Sequence, residues 1–189
     1  MKENLKNKTT HDIEVLQRRL YDYLCMTFLK PSARIVTVPD GKDDIRFMRM
    51  ALEEADIAFH EGEIPVGAVL VKDGRVLAST HNCRESSYDP TGHAEILAIR
   101  HGAHKCRSWR LADATLYVTK EPCIMCAGTM VNARLGRLVY GCRDEKGGAV
   151  GSLYSLLSDK RLNHQVEVVS GVLDGECAEI LKRFFQERR

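Results

Sequence analysis

A histidine at position 93 and cysteines at 123 and 126 must meet in space if they share one metal ion, and that need constrains the fold more than any other feature of this chain. His93-Ala94-Glu95 is followed further along by Pro122-Cys123-Ile124-Met125-Cys126. One imidazole and two thiolates make three ligands for a tetrahedral Zn²⁺, which leaves a fourth position for water. Glu95 then supplies a carboxylate that can take a proton from that water and pass it on. Pro122 suits the first turn of a helix, where its missing N–H costs nothing, so a helix is expected to open there with both cysteines on one face. The positive end of such a helix favours thiolate over thiol. His93 follows Asp89-Pro90-Thr91-Gly92 and also falls at an expected helix start, so two helix N-termini should converge. Residues two apart on an ideal helix point about 200° apart, so Glu95 joins the site only if the first turn lets it reach back.

The pattern around these motifs alternates between strand and helix. Asp43 or Asp44 can cap a helix with apolar positions Ile45, Met48, Leu52, Ala55 and Phe59, ending near Gly62. Apolar runs at 66–71 and 75–79 flank Asp73-Gly74, a strong hairpin signal. A helix over 93–104, a strand over 114–119, a helix from Pro122 and a strand over 138–141 imply a parallel crossover. A fifth strand is expected over 165–170 and a last amphipathic helix from 175 onward, with Cys177, Ile180, Leu181 and Phe184 toward the core. The expectation is an α/β fold, a mixed sheet flanked by helices.

With 189 residues, 44% of them hydrophobic, the chain fits one domain with an appendage. The net charge of +2 gives no global basic field, so any RNA contact must come from a local patch. Seven cysteines, with no apolar leader before them, suggest a reducing compartment and a cytoplasmic protein. No apolar run approaches the roughly 20 residues that span a bilayer. Residues 1–42 read as an extension: 1–10 is polar and expected to be disordered, 12–29 has the periodicity of an amphipathic helix, and the 35–38 run between Pro31 and Pro39 is a linker or an edge strand. The extension is open to several readings: a docking element, a mis-chosen start, or, less favoured because of Asp12, Glu14 and Asp22, a transit peptide. The regular succession of strands and helices around the two motifs occupies 43–189.

A Cys-x-x-Cys pair alone is more often a closed structural zinc site or a redox pair, and Cys106 or Cys142 could complete such a set. Further residues weigh against that. Glu63-Ile64-Pro65-Val66-Gly67-Ala68, Asp89-Pro90-Thr91-Gly92-His93-Ala94-Glu95, Leu116-Tyr117-Val118-Thr119-Lys120-Glu121-Pro122-Cys123 and the 147–153 segment resemble, in the same order, the bacterial tRNA-specific adenosine deaminases. The resemblance covers about 44–189. It implies a cytidine deaminase-like three-layer α/β/α fold with a five-stranded mixed sheet, and one Zn²⁺ per subunit held by His93, Cys123 and Cys126. It also implies hydrolysis of the wobble adenosine of an arginine tRNA anticodon stem-loop to inosine, with Glu95 protonating N1 and then the leaving amine.

By the same resemblance Asn82 holds the flipped base, Val66 and Ala94 line its pocket, and Asp144 lies near the sugar of the preceding nucleotide. Asn82 could equally close a turn, and Asp144 could pair with Arg143 or Lys146. Lys146, Asn163-His164, Phe184, Arg188 and Arg189 fit an RNA-facing edge, since phosphates need cations and splayed bases need flat partners. A homodimer is implied. Gly92, where alanine is usual, Cys142, and the prompt end after Arg188-Arg189 depart from the family pattern. The other enzyme reading is a small-molecule deaminase of guanine, cytosine or a nucleoside with the same zinc chemistry; a zinc-stabilised RNA-binding module is a third, which Glu95 argues against.

Overall fold

The structure is a computed structural model, which describes residues 41–188. The expected 12–29 helix, the 35–38 run and Arg189 lie outside the described residues.

Asp73 and Gly74 both take positive φ, 51° and 68°, the pair of left-handed values that a tight two-residue hairpin needs to match strand twist. They join β1 (Gly67–Lys72) to β2 (Arg75–His81) in antiparallel register. On its other side β1 pairs antiparallel with β3 (Ala114–Lys120), after which β4 (Arg137–Cys142) and β5 (Glu167–Ser170) add in parallel. The resulting five-stranded mixed sheet has the order β2-β1-β3-β4-β5.

Side chains alternate across this sheet with the period of two that a pleat imposes. Leu70, Leu116, Val118 and Leu138 pack in one core with α2 (Ala94–Cys106) and α3 (Ile124–Asn132). Val69, Val71, Tyr117 and Val139 pack in a second core with α1 (Gly41–Glu61) and α4 (Asp174–Gln186). Strands buried on both faces read in sequence as continuous apolar runs, as 68–71 and 116–118 do. The layers close tightly. A Cβ at Gly67 would overlap the α1 backbone at Ala51, and one at Gly102 would strike Leu70. Among the described residues no helix is long and apolar enough to cross a membrane.

Two local expectations need correction. Ile45 is 43% exposed, because the buried stripe of α1 runs through Asp44, Phe47, Met48, Ala51, Ala55 and Ala58. Asp44 is turned inward to Arg137 and Tyr117, which rotates Phe47 rather than Ile45 onto the sheet, where its ring lies 5.1 Å from that of Tyr117. The second motif helix opens one turn element later than expected: Cys123 is its N-cap and Pro122 lies outside it.

Candidate active site

Both motif segments end as helix caps. His93 caps α2 with extended backbone (φ −82°, ψ 143°) and Cys123 caps α3 likewise (φ −75°, ψ 175°). Each therefore sits where a chain stops being strand or loop and its helix dipole begins, so the positive ends of two helices face one point. Cys126 lies in the first turn of α3, buried. His93 Nδ1 is 3.7 Å from Cys123 Sγ and 3.5 Å from Cys126 Sγ. Tetrahedral bonds of about 2.3 Å to sulfur and about 2.05 Å to nitrogen set N and S about 3.5 Å apart, so the trio has the spacing of a zinc ligand set. All three ligand atoms lie within 4.8 Å of one another; Cys106 and Cys142 are not in this group. The Cys142 thiol instead donates to the Thr119 carbonyl.

The protons of the trio are already unevenly held. The hydrogen bond from Cys126 draws the Cys123 thiol down to about 3, with His93 helping against the opposing effect of burial. Cys126 is pushed up by giving that hydrogen bond and then by burial. His93 is raised chiefly by its hydrogen bond to Cys123. Glu95 does reach back: its carboxyl group is buried, accepts from its own backbone N–H and contacts Cys126. Burial is the main influence on it and raises its pKa.

Asn82 comes directly after β2 and is buried. Its N–H donates to Val66 O at 2.9 Å, and the next N–H, of Cys83, donates to Gly92 O at 3.0 Å, which ties this turn to the segment carrying His93. Val66 is half-buried and packs with Ala94, itself fully buried, against the same core. Thr80 Oγ1 donates to Ala94 O at 2.8 Å and fixes the start of α2 on β2. Asp144 pairs with neither Arg143 nor the Lys146 ammonium. Lys120 Nζ stands 2.6 Å from its Oδ2 and the Lys146 N–H donates to its Oδ1 at 3.1 Å.

Lys120, Asp144, Lys146, Phe185 and Arg188 line one cleft of about 700 Å³ between the β4 end and α4. Phe184 faces the core, as its helical spacing predicts, and not an RNA-facing edge. That ring is 4% exposed, 5.8 Å from the Phe59 ring and beneath the Arg188 guanidinium at 3.7 Å, so no base can stack on it. Phe185, half exposed, is the aromatic of the cleft. Asn163 accepts from Arg134, just past the far end of α3 from the cysteines, and His164 bonds to the Leu135 carbonyl; neither lines the cleft.

Two carboxylates that the sequence reading passed over organise the surroundings. Glu121 accepts from the N–H groups of Asp144, Val150, Gly151 and Ser152 at 2.9–3.1 Å and from the Ser152 hydroxyl. Burial alone would raise its pKa, yet these donors, Ser152 first, hold it at about 2. The 144–152 loop is thus wrapped round one side chain. Glu63, 1% exposed, accepts from Asn82 Nδ2 at 2.9 Å and from the Ser86 N–H at 2.7 Å. The signal for Glu121 is its place before Pro-Cys opposite Gly148, where a Cβ would strike it. The signal for Glu63 is the Gly62 before it, whose positive φ ends α1 and turns the chain inward.

A three-layer fold with an imidazole, two thiols and a buried glutamate at paired helix N-termini defines the class of zinc deaminases, and residues 42–189 match the MafB19-like deaminase family. The chain is 51% identical over 147 residues to a tRNA-specific adenosine deaminase of Haemophilus influenzae, covering 77% of this chain and 85% of that one. It is 49% identical over 146 residues to one of Bacillus subtilis, covering 77% and 91%. A solved structure from studies of A-to-I editing by tRNA:A34 deaminases at the wobble position superposes with a TM-score of 0.69 at 47% identity, over 71% of this chain and 98% of that one. A guanine deaminase from Nitrosomonas europaea shares the fold at 18% identity and a TM-score of 0.66, over 82% and 97%. The chain belongs to the tRNA-specific adenosine deaminase family.

Proposed function

We propose that this protein hydrolyses the wobble adenosine of a tRNA anticodon to inosine, releasing ammonia. The observation that carries the reading is the buried Glu95 carboxyl beside a His93, Cys123 and Cys126 trio with the spacing of a zinc ligand set. Those three residues hold one zinc per subunit, which when bound supplies a Lewis acid for activating water. Glu95 takes one proton from the attacking water and delivers it to N1 of the ring, then takes the second from the hydroxyl newly bonded to C6 and delivers it to the departing amine. An O–C6 bond forms, the C6–N6 bond breaks, and the amino group leaves as ammonia. A carboxyl group raised by burial is suited to both holding and giving that proton. Asn82, with Val66 and Ala94 beside it, holds the base.

Asp144, Lys146 and Arg188, with Phe185 in place of Phe184, line the cleft that takes the flanking nucleotides of an arginine tRNA stem-loop. A second copy of the chain covers Ile124, Leu153 and Tyr154, each more than half exposed, to make a homodimer. The enzyme acts in the cytoplasm.

The test is ammonia release from an anticodon stem-loop set against free guanine, cytosine and adenosine. Release from the stem-loop alone is expected; release from guanine but not from RNA would overturn the reading. Glu95→Ala retains metal and folding but loses turnover, and an active variant would contradict the proton-shuttle role.

A further inference from the structure

We infer that Glu63 is a positioning residue that decides which way the Asn82 carboxamide faces, and so sets the order of donor and acceptor presented to the base. The inference rests on the adenosine deaminase reading for the identity of the base. Its geometry does not.

Gly62, at φ 86°, ends α1 with two reversed bonds, Gly62 N–H to Phe59 O and Glu63 N–H to Ala58 O. That reversal sends the Glu63 side chain inward until it is 1% exposed. A carboxyl group so deeply buried must have both oxygens satisfied. Oε1 takes the Ser86 N–H at 2.7 Å and Oε2 takes Asn82 Nδ2 at 2.9 Å. The Ser86 donor is backbone and cannot be exchanged for an acceptor. Oε2 is therefore left for Asn82, and only the NH₂ edge of a carboxamide can satisfy it. A flipped amide would set Oδ1 against Oε2, two acceptors with no proton between them. The flip that is free for an ordinary asparagine is closed here. Asn82 keeps Oδ1 and one remaining N–H for a ligand, in a fixed order, and adenine is a base whose edges mix ring-nitrogen acceptors with an amino donor.

The backbone under Asn82 is held from the same side of the molecule. His81 Nδ1 lies 2.7 Å from Glu54 Oε2, and its Nε2 lies 3.2 Å from Glu61 Oε2. Glu54, Glu61 and Glu63 thus all grip residues 81 and 82 from α1 and the turn that follows it. Two of these contacts fix the strand end, and the third fixes the functional amide.

A merely structural Glu63 would affect the fold equally whether or not Asn82 had its amide, so the decisive experiment is a cycle. Steady-state kinetics on an anticodon stem-loop are measured for wild type, Glu63→Gln, Asn82→Ala and the double variant, with metal content and thermal midpoint recorded for each. Glu63→Gln is isosteric, but with its oxygen kept by the Ser86 N–H its NH₂ faces Asn82 and calls for the flipped amide; its KM is expected to rise about tenfold, as for one lost buried hydrogen bond, with kcat within about threefold of wild type. In the Asn82→Ala background the same change should move KM by less than about twofold. Equal effects in both backgrounds would overturn the positioning role. Nuclear magnetic resonance on ¹⁵N-asparagine protein, with Asn82 assigned by its absence in Asn82→Ala, reads the contact without turnover. A slowly exchanging, downfield side-chain N–H that is lost in Glu63→Gln supports the assignment, and one that exchanges like an exposed amide overturns it. A wild type inactive on the stem-loop sinks the adenosine reading, and with it the substrate named here. An active wild type with an additive cycle sinks the role of Glu63 alone.

Discussion

Arg137 grips Asp44 with both guanidinium nitrogens at 2.8 Å, joining the first turn of α1 to the first residue of β4 across 93 positions of sequence. Tyr117 adds its hydroxyl to the same carboxylate at 2.9 Å, and Glu167 takes the remaining side of Arg137 at 3.1 Å. One ion pair thus pins the helical layer, the central strand and the sheet edge at the end remote from the cysteines.

The Asp44 carboxyl is held below its ordinary range, first by the Arg137 hydrogen bond, so its contribution to stability exists above the unfolded value of about 3.9 and is lost as pH falls through the lower folded value. Asp44→Asn should cost about 2 kcal/mol at pH 7, since Arg137 stays largely buried with only Glu167 opposite. Urea unfolding at a series of pH values should show the gap between variant and wild type closing below about pH 4. A gap that stayed constant to pH 2 would show that the pair adds nothing through charge.

His81 has the opposite sign. Its pKa is raised above 6.5, first by the Glu54 hydrogen bond and further by Glu61, so the stability it adds is complete below the unfolded value and disappears as pH rises through the folded one. His81→Gln should differ most from wild type near pH 6 and converge with it in alkaline solution. Thermal midpoints measured from pH 5.5 to 9 check this, and a difference growing with pH would reverse the assignment.

Why some of this was legible in the sequence, and some not, follows from the range of the interactions. The hairpin at Asp73-Gly74 and the β3, α3, β4 succession depend on local turn chemistry and periodicity, which a single sequence carries. The gathering of His93, Cys123 and Cys126 was legible because zinc chemistry demands those residue types at that spacing. Glu63, Glu121 and Lys120 stood in the resembling segments with no role assigned, because their partners lie 19 to 31 positions away on other segments. Phe184 and Phe185 differ by a 100° step round α4; helical periodicity put Phe184 inside, and the RNA-facing reading of the same ring failed because it ignored that periodicity. Ile45 failed for a related reason: a buried Asp44 begins the stripe, and no apolar periodicity announces an inward-facing carboxylate.

Removing metal should affect both stability and turnover. Dialysis against a chelator is expected to abolish deamination and lower the thermal midpoint, with zinc restoring both, because the three ligands come from two separate helix starts that the metal would tie together. Cys123→Ser should lose bound zinc by elemental analysis. Full metal content in that variant would remove Cys123 from the ligand set.

Glu121→Gln replaces one acceptor with an NH₂ group facing a cluster of N–H donors, so the 144–152 loop should lose its anchor while the sheet beneath remains. The amides of Val150, Gly151 and Ser152 are expected to exchange at least about tenfold faster, which corresponds to about 1.4 kcal/mol of local stability. Because Asp144 hangs on the same carboxylate, KM for a stem-loop should rise as well. Unchanged protection at those three amides would show that the loop is held by other means.

The adjacent phenylalanines of α4 separate packing from recognition. Phe184→Ala empties a buried site between Phe59 and Arg188 and should destabilise the protein by about 3 kcal/mol or more. Phe185→Ala removes a half-exposed ring and should leave stability within about 0.5 kcal/mol of wild type. If that ring stacks on a nucleotide in the cleft beside Lys146 and Arg188, its loss costs about 1 to 2 kcal/mol of RNA binding, a five- to thirtyfold weaker Kd. Lys146→Ala should weaken binding too, but with a shallower salt dependence, since it removes a phosphate contact and not a stacking surface. Titration of labelled stem-loop at two salt concentrations distinguishes the two effects, and Phe185→Ala binding RNA as tightly as wild type would leave the cleft without its aromatic role.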